Sequence, residues 1–296
     1  MNTNHSSPKI KRVTVNGITL AYHDWPGERG PLICLPNITG HKGSYTPLAH
    51  KLSPQYRVLA VDMRGRGDSS KPKDGYGFAY HAKDILAFAD ALGIQKFSLV
   101  GHSFGATASV YITSIRPERV QTVVLLDGGA DPKTETLRTM YQSINRLSKV
   151  YSSMEEYMSA QRDNSFYRPW TPALERYLQE DVEVLANGSV RSKSSMEALE
   201  RDLDIHFEYS MCLHFPNLRC PVIFMRPQQG LLGTTGHVYS DAEVSNIVRH
   251  IPNCRRATVQ GGNHYTMLIQ DNPPVLPFIN EFLEQVLREP VVARSS

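Results

Sequence analysis

Short apolar runs recur along this chain and leave it few ways to fold. They are Pro31-Leu32-Ile33-Cys34-Leu35, Tyr56-Arg57-Val58-Leu59-Ala60-Val61, Phe97-Ser98-Leu99-Val100, Val120-Gln121-Thr122-Val123-Val124-Leu125-Leu126, Pro221-Val222-Ile223-Phe224-Met225 and Arg256-Ala257-Thr258-Val259. Each is too short for a helix, and most lack the alternation of a half-exposed strand, so they read as strands buried on both faces. Helix-compatible segments lie between them. These run from about Tyr45 to Leu52, through Ile85, Phe88, Ala89 and Leu92 to a stop at Gly93, from Ala106 to Ile115, and from Ser240 to Ile251 with Ser240 or Asp241 as cap. A last helix is expected over about Val275 to Leu287. The repetition predicts an α/β fold, with a mostly parallel sheet covered by helices on both faces. Ahead of it, Lys9 to Asp24 alternates about Asn16-Gly17, which predicts an antiparallel hairpin.

The alternation stops between Pro132 and Phe215. There the chain offers only helix-like stretches, Leu137 to Val150, Met154 to Gln161, Ala173 to Ala186 and Met196 to Phe207. This predicts a helical cap insertion at 131–215 over the sheet's C-terminal edge, dividing a core domain into 1–130 and 216–296. Its many Tyr, Met and Phe side chains are placed to line a substrate entrance, although most of them are needed to pack the insertion down.

At 296 residues and 41% hydrophobic content, the chain can bury one large domain with an insertion. A formal net charge of +3 with no long Lys/Arg run predicts neither a nucleic-acid footprint nor a membrane-surface patch. Met1 to Lys11 is polar and no apolar run approaches ~18 residues, so a cytoplasmic location is expected. Cys34, Cys212, Cys220 and Cys254 are widely spaced and read as buried thiols; separation alone would allow a Cys212–Cys220 disulfide, which a cytosolic chain of this size does not need. With no P-loop, no G-x-G-x-x-G after the first strand and no metal-binding histidine motif, neither cofactor nor metal is expected. A homodimer is compatible with the sequence, which does not specify oligomeric state.

One strand-to-helix junction carries chemistry. Gly101-His102-Ser103-Phe104-Gly105 follows an apolar run and opens a helix, the context in which G-x-S-x-G forms a tight turn that exposes its serine. Ser103 is therefore the candidate nucleophile. A serine hydroxyl needs a base of near-neutral pKa and a carboxylate to orient that base. His264, in Gly261-Gly262-Asn263-His264 after the last strand, is placed to be the base, because parallel sheets gather their sites at the strands' C-terminal ends. His102 adjoins the serine, but the turn forces neighbouring side chains apart and assigns it a packing role.

Together with Asp62-Met63-Arg64-Gly65-Arg66-Gly67-Asp68-Ser69, which looks like a D-x-R-G-x-G-x-S loop, these stretches make the chain resemble the α/β-hydrolase superfamily over nearly its whole length, the insertion least. The resemblance implies the order nucleophile, acid, histidine. Many relatives carry the acid a few residues after the strand that follows the insertion, but Arg226-Pro227-Gln228-Gln229-Gly230-Leu231-Leu232-Gly233 holds no carboxylate. Other relatives place it at the end of the preceding strand, here Asp127. Asp241 is the main rival, although it has a structural job at a helix start, and Asp131 is weaker.

For the oxyanion hole the resemblance implies the N–H of Phe104 and one from the loop after the third strand. That loop reads Pro36-Asn37 where relatives usually show His-Gly. Proline has no N–H, so Ile38 is the expected donor, with Asn37 adopting the unusual backbone angle. Asp62, Arg64 and Asp68 read as structural ion pairs and turn residues.

The activity implied is that of a carboxylesterase acting on small to medium esters through an acyl-enzyme. Its partner would be a small-molecule ester, with no nucleic acid and no membrane. Hydrolysis of carbon–carbon bonds, lactones or amides on the same scaffold, or a slow-turnover small-molecule receptor, are the alternatives.

Overall fold

A computed structural model describes residues 8–131, 144, 146–206, 209–230 and 236–287. The opening hairpin pairs β1 (Lys11–Val15) with β2 (Ile18–Trp25), turning on Asn16 and Gly17, whose φ angles of 50° and 76° are those an Asn-Gly turn supplies. The sheet continues with β3 (Arg29–Leu35), β4 (Tyr56–Val61), β5 (Phe97–His102), β6 (Val120–Leu126), β9 (Val222–Pro227) and β10 (Cys254–Val259). Its order is β1-β2-β4-β3-β5-β6-β9-β10, parallel from β4 onward.

Alternate strand residues feed two cores. Ile33, Leu35, Leu59, Leu99 and Val123 face α2 (Phe78–Ala91), α3 (Phe104–Ile115) and α7 (Asp241–His250). Leu32, Cys34, Val58, Val100 and Val124 face α1 (Thr46–Leu52) and α8 (Leu276–Val286). Burial on both faces is why these strands read as continuous apolar runs.

The strand order reverses at β3: the chain steps from β3 to β4 on one side, then returns to β5 on the other. Such a switch point opens a crevice between the loops that leave the two strands' C-terminal ends. Those are the loops that carry Ile38 and Ser103.

Between β6 and β9 the described residues form α4 (Met154–Asp163), α5 (Pro172–Glu180), α6 (Met196–His206) and a 3₁₀ helix at Met211–Asn217. They also form a small antiparallel pair, β7 (Val182–Val184) with β8 (Val190–Ser192). This corrects the expectation of helices alone. The helix expected to run on to Ala186 stops at Glu180, and a turn with Gly188 at φ 84° reverses the chain. The helix expected over Leu137 to Val150 lies mostly outside the described residues. The segment packs on loops at the sheet's C-terminal end: Ser195 N–H donates to Gly65 O (2.8 Å), His41 Nε2 to Tyr177 O (3.0 Å), and Asn263 Nδ2 to Phe166 O (2.9 Å).

The cysteines are free and only Cys34 and Cys220 are buried; Cys212 is exposed and Cys254 half-buried, which corrects their reading as uniformly buried thiols. No helix among the described residues is long and apolar enough to cross a membrane.

Candidate active site

The site is built where β5 meets α3. Ser103 makes the whole reversal by itself, at φ 53° and ψ −117°. Close packing enforces that geometry: a Cβ on Gly101 would lie 2.4 Å from Gly105 O, and one on Gly105 would lie 2.1 Å from Leu35 O. The backbone of Ser103 is tied down, its N–H donating to Leu126 O (2.9 Å) and its C=O accepting from Ala106 N–H (2.9 Å). Its side chain does not cap α3, which leaves the hydroxyl uncommitted.

Asp127 lies directly beyond β6 at φ 45°, with its N–H donating to Met225 O (2.8 Å). A Cβ on the next residue, Gly128, would sit 2.3 Å from Ser103 O, so the ends of β5 and β6 are in backbone contact. The Asp127 carboxylate is buried, and its Oδ2 accepts from His264 Nδ1 at 2.7 Å. Among the described residues, positive φ at non-glycine positions is confined to Asn16, Ser103, Asp127 and Asn253. Two of these belong to one site, and such strain, on the order of 1–3 kcal/mol each, collects where surrounding structure dictates a side chain's position.

His264 is positioned from several directions. Asn263 Oδ1 accepts from the N–H groups of Tyr265 and Thr266 (2.9 Å each), which folds the loop around the ring. His102 Nε2 donates to His264 O (2.8 Å), the two rings lying 4.8 Å apart, and Tyr265 meets the ring edge-on at 5.2 Å. Burial, with the nearby His264 adding to it, holds His102 well below the usual histidine pKa. It therefore stays neutral. With Nδ1 of His264 donating to the carboxylate, Nε2 is the ring's remaining acceptor.

The other sequence candidates sit elsewhere. Asp241 is exposed and joins Arg226 (2.8 Å) and Arg256 rather than His264. Asp131 accepts from Met211 N–H at 2.9 Å and so caps the 3₁₀ helix. Asp62 accepts from Lys42 Nζ (2.9 Å) and Asp68 N–H (2.8 Å), while Arg64 holds Asp84 with two nitrogens (2.6 and 2.7 Å), so this loop is a scaffold of ion pairs.

The absent Cβ of Gly105 lets the start of α3 touch the Leu35-Pro36 backbone, which brings Phe104 and Ile38 to the same crevice. The expected unusual angle at Asn37 is corrected, since its φ is not positive. Asn37 instead closes a turn through its carbonyl, which accepts from Gly40 N–H at 3.0 Å. Two residues at this crevice escaped sequence reasoning. Arg66 fills a variable position of the D-x-R-G-x-G-x-S loop, and Asp202 lies inside the helix-like stretch Met196 to Phe207. The available signal was that Asp202 falls at helical spacing from Ala198 and Leu199, on the apolar face of α6.

Beyond the crevice, Thr39, Tyr151, Tyr157, Tyr167, Tyr177 and Gln161 line a cavity of ≈ 410 Å³, its mouth included. Among the described residues no cluster of His, Cys, Asp and Glu is arranged to hold a metal ion.

The alpha/beta hydrolase fold model matches residues 30–268. The chain is 27% identical over 259 residues to the 2-(acetamidomethylene)succinate hydrolase of Mesorhizobium japonicum, a match spanning 86% of this chain and 88% of that one. It is 26% identical over 256 residues to the N-formylmaleamate deformylase of Pseudomonas putida, covering 85% and 88%. The crystal structure of E-2-(acetamidomethylene)succinate hydrolase superposes with a TM-score of 0.81 over 93% of this chain and 99% of that one, at 24% identity.

Proposed function

The chain belongs to the α/β-hydrolase fold family, and on that premise we propose that it is a serine hydrolase which cleaves small carboxylic acid derivatives, esters first, through an acyl-enzyme. The observation that carries this reading is the buried Asp127–His264 pair at 2.7 Å, set beside a serine held on a strained turn.

In the proposed reaction, Nε2 of His264 takes the Ser103 proton as Oγ attacks the substrate carbonyl. Asp127 keeps the proton on Nδ1 and stabilises the imidazolium that forms. Negative charge develops on the carbonyl oxygen, where the N–H groups of Ile38 and Phe104 receive it. Phe104 begins α3, so the positive end of the helix dipole adds to that stabilisation. His264 then hands its proton to the leaving group, and water releases the acyl group by the same steps in reverse.

A second reading is favoured by the relatives. Those of Mesorhizobium japonicum and Pseudomonas putida are named for substrates with an acetamido and a formylamide group, and they match over most of both chains. An amide-type bond is therefore the main alternative to an ester. The deciding experiment is turnover of nitrophenyl esters of increasing acyl length beside N-acetyl and N-formyl amides of small acids, with Ser103→Ala as control. Ester turnover lost in Ser103→Ala supports the first reading, and amide turnover with weak ester turnover supports the second. Activity that survives Ser103→Ala overturns both.

A further inference from the structure

Ile38 and Phe104 share a neighbour that the reaction itself does not use. The Arg66 guanidinium donates from Nε to Ile38 O (3.0 Å) and lies over the Phe104 ring, 5.3 Å from its centroid. Its Nη1 donates to Arg64 O (2.9 Å) and pairs with Asp202 Oδ2. Arg66 and Asp202 are both completely buried. His81 completes the cluster, with Nε2 3.0 Å from Asp202 Oδ2 and its ring edge-on to Phe104 at 5.3 Å. Thus Arg66 and His81 touch Phe104, and both are held by one carboxylate.

That carboxylate comes from α6, outside the elements that bear Ser103, Asp127 and His264. Its position is rigid. Gly77 N–H donates to Asp202 Oδ1 (2.6 Å), a Cβ on Gly65 would meet Ala198 Cβ at 2.5 Å, and one on Gly77 would meet Ile205 Cγ2 at 2.8 Å. Both glycines have positive φ, 82° and 93°, so the loop is shaped to receive the helix. Burying an ion pair contributes little net stability, because desolvating each charge offsets most of the attraction. What the arrangement does supply is orientation.

We propose that Asp202 is a positioning residue for the oxyanion site: through Arg66 it fixes the Ile38–Thr39 peptide and the Phe104 ring, so that α6 sets the alignment of the two N–H donors. This rests on the proposed serine-hydrolase reading. A loop whose carbonyl is unheld lets its neighbouring N–H swing, and donors aimed at the developing oxyanion lose effect steeply with misalignment.

The test compares wild type, Ser103→Ala, Asp202→Asn and Arg66→Lys. It reads kcat and KM for 4-nitrophenyl acetate and inhibition by phenyl trifluoromethyl ketone, whose hemiketal oxygen rests where the oxyanion would. Arg66→Lys keeps the buried charge balance but cannot bridge Ile38 O and Asp202 as a fork, so it decides the matter if Asp202→Asn does not fold. The expected result is a kcat lowered about 10- to 100-fold in both variants, with KM within about threefold and ketone inhibition weakened by the same factor as kcat. Wild-type kcat and ketone affinity in the folded variants, even with a lowered melting temperature, would overturn the inference while leaving the hydrolase reading intact. If wild type turns over only the N-acetyl or N-formyl amides, the same kcat comparison is made on those; a wild type inert to ester, ketone and amides, or active without Ser103, overturns the hydrolase reading and this inference with it.

Discussion

Nδ1 of His264 lies 2.7 Å from Oδ2 of Asp127, and the two residues are separated by 137 positions in the chain. The exposed Asp241 meanwhile pairs with Arg226 and Arg256. Asp127→Asn is therefore expected to lower kcat on 4-nitrophenyl acetate by up to about 10⁴-fold, because an amide at this position favours the wrong imidazole tautomer. Asp241→Asn is expected to stay within a few fold of wild type. Reversed results would remove Asp127 from the proposed mechanism.

Two glycines test the turn at Ser103 against a plain backbone effect. Gly105→Ala places a methyl 2.1 Å from Leu35 O, so α3 must shift away from the crevice; a loss of about 1–3 kcal/mol is expected, as for other overpacked sites, with hydrolysis abolished. Gly93→Ala meets nothing within 4 Å and carries only the penalty of φ +70°, about 1–2 kcal/mol, with kcat unchanged. Urea melts alongside turnover separate the two.

Asn263 holds the His264 loop with one oxygen on two N–H groups and bonds the Phe166 carbonyl through its nitrogen. In Asn263→Ala those donors lose their partner and the imidazole drifts. Turnover should fall about 10- to 100-fold with KM little changed, the usual cost of misplacing a reacting group. An unchanged kcat would show that His102 and Tyr265 suffice to hold the ring.

Buried histidines weaken the fold in acid. Burial, with Lys42 adding to it, pushes His23 and His41 down to about 3. Between that value and the unfolded value of 6.5 the unfolded chain binds more protons than the folded one. The contribution of these two histidines is therefore complete above about pH 6.5 and falls steadily below it. Asp68 adds a later loss: burial would raise its pKa, but Lys42 and Lys193 hold it at about 2, so its contribution fades from 3.8 downward. His41 uses both ring nitrogens as a neutral ring, accepting from Gly43 N–H and donating to Tyr177 O. His41→Asn should lower stability at neutral pH yet flatten its fall from about pH 6.5 to about pH 4, as read by thermal melts. An unchanged slope would place the proton uptake elsewhere.

The strands and most core helices were legible because each depends on nearby residues. The Asn16-Gly17 turn, the strand Tyr56–Val61 and the Ser240 cap, which forms a full capping box with Glu243, all came from local pattern. Local pattern failed where two states were close. After Glu180 the residues Val182–Val184 extend an apolar pattern that suits a helix, yet pairing with Val190–Ser192 makes them a strand, a choice that depends on a partner six or more positions away. Asn37 likewise needed no special angle once its carbonyl could close a turn on Gly40.

The sequence by itself determined the alternation of buried strands and helices, the turn that presents Ser103, and the small set of carboxylates able to serve a histidine. It did so because hydrophobic period, turn chemistry and glycine placement act over a few residues. Only the tertiary structure decided which carboxylate meets His264, and that a charge on α6 reaches Ile38 and Phe104 through Arg66. The Asp127–His264 and Arg66–Asp202 contacts join residues more than a hundred positions apart, and their geometry exists only once the strand order and the docking of α6 have brought the ends together.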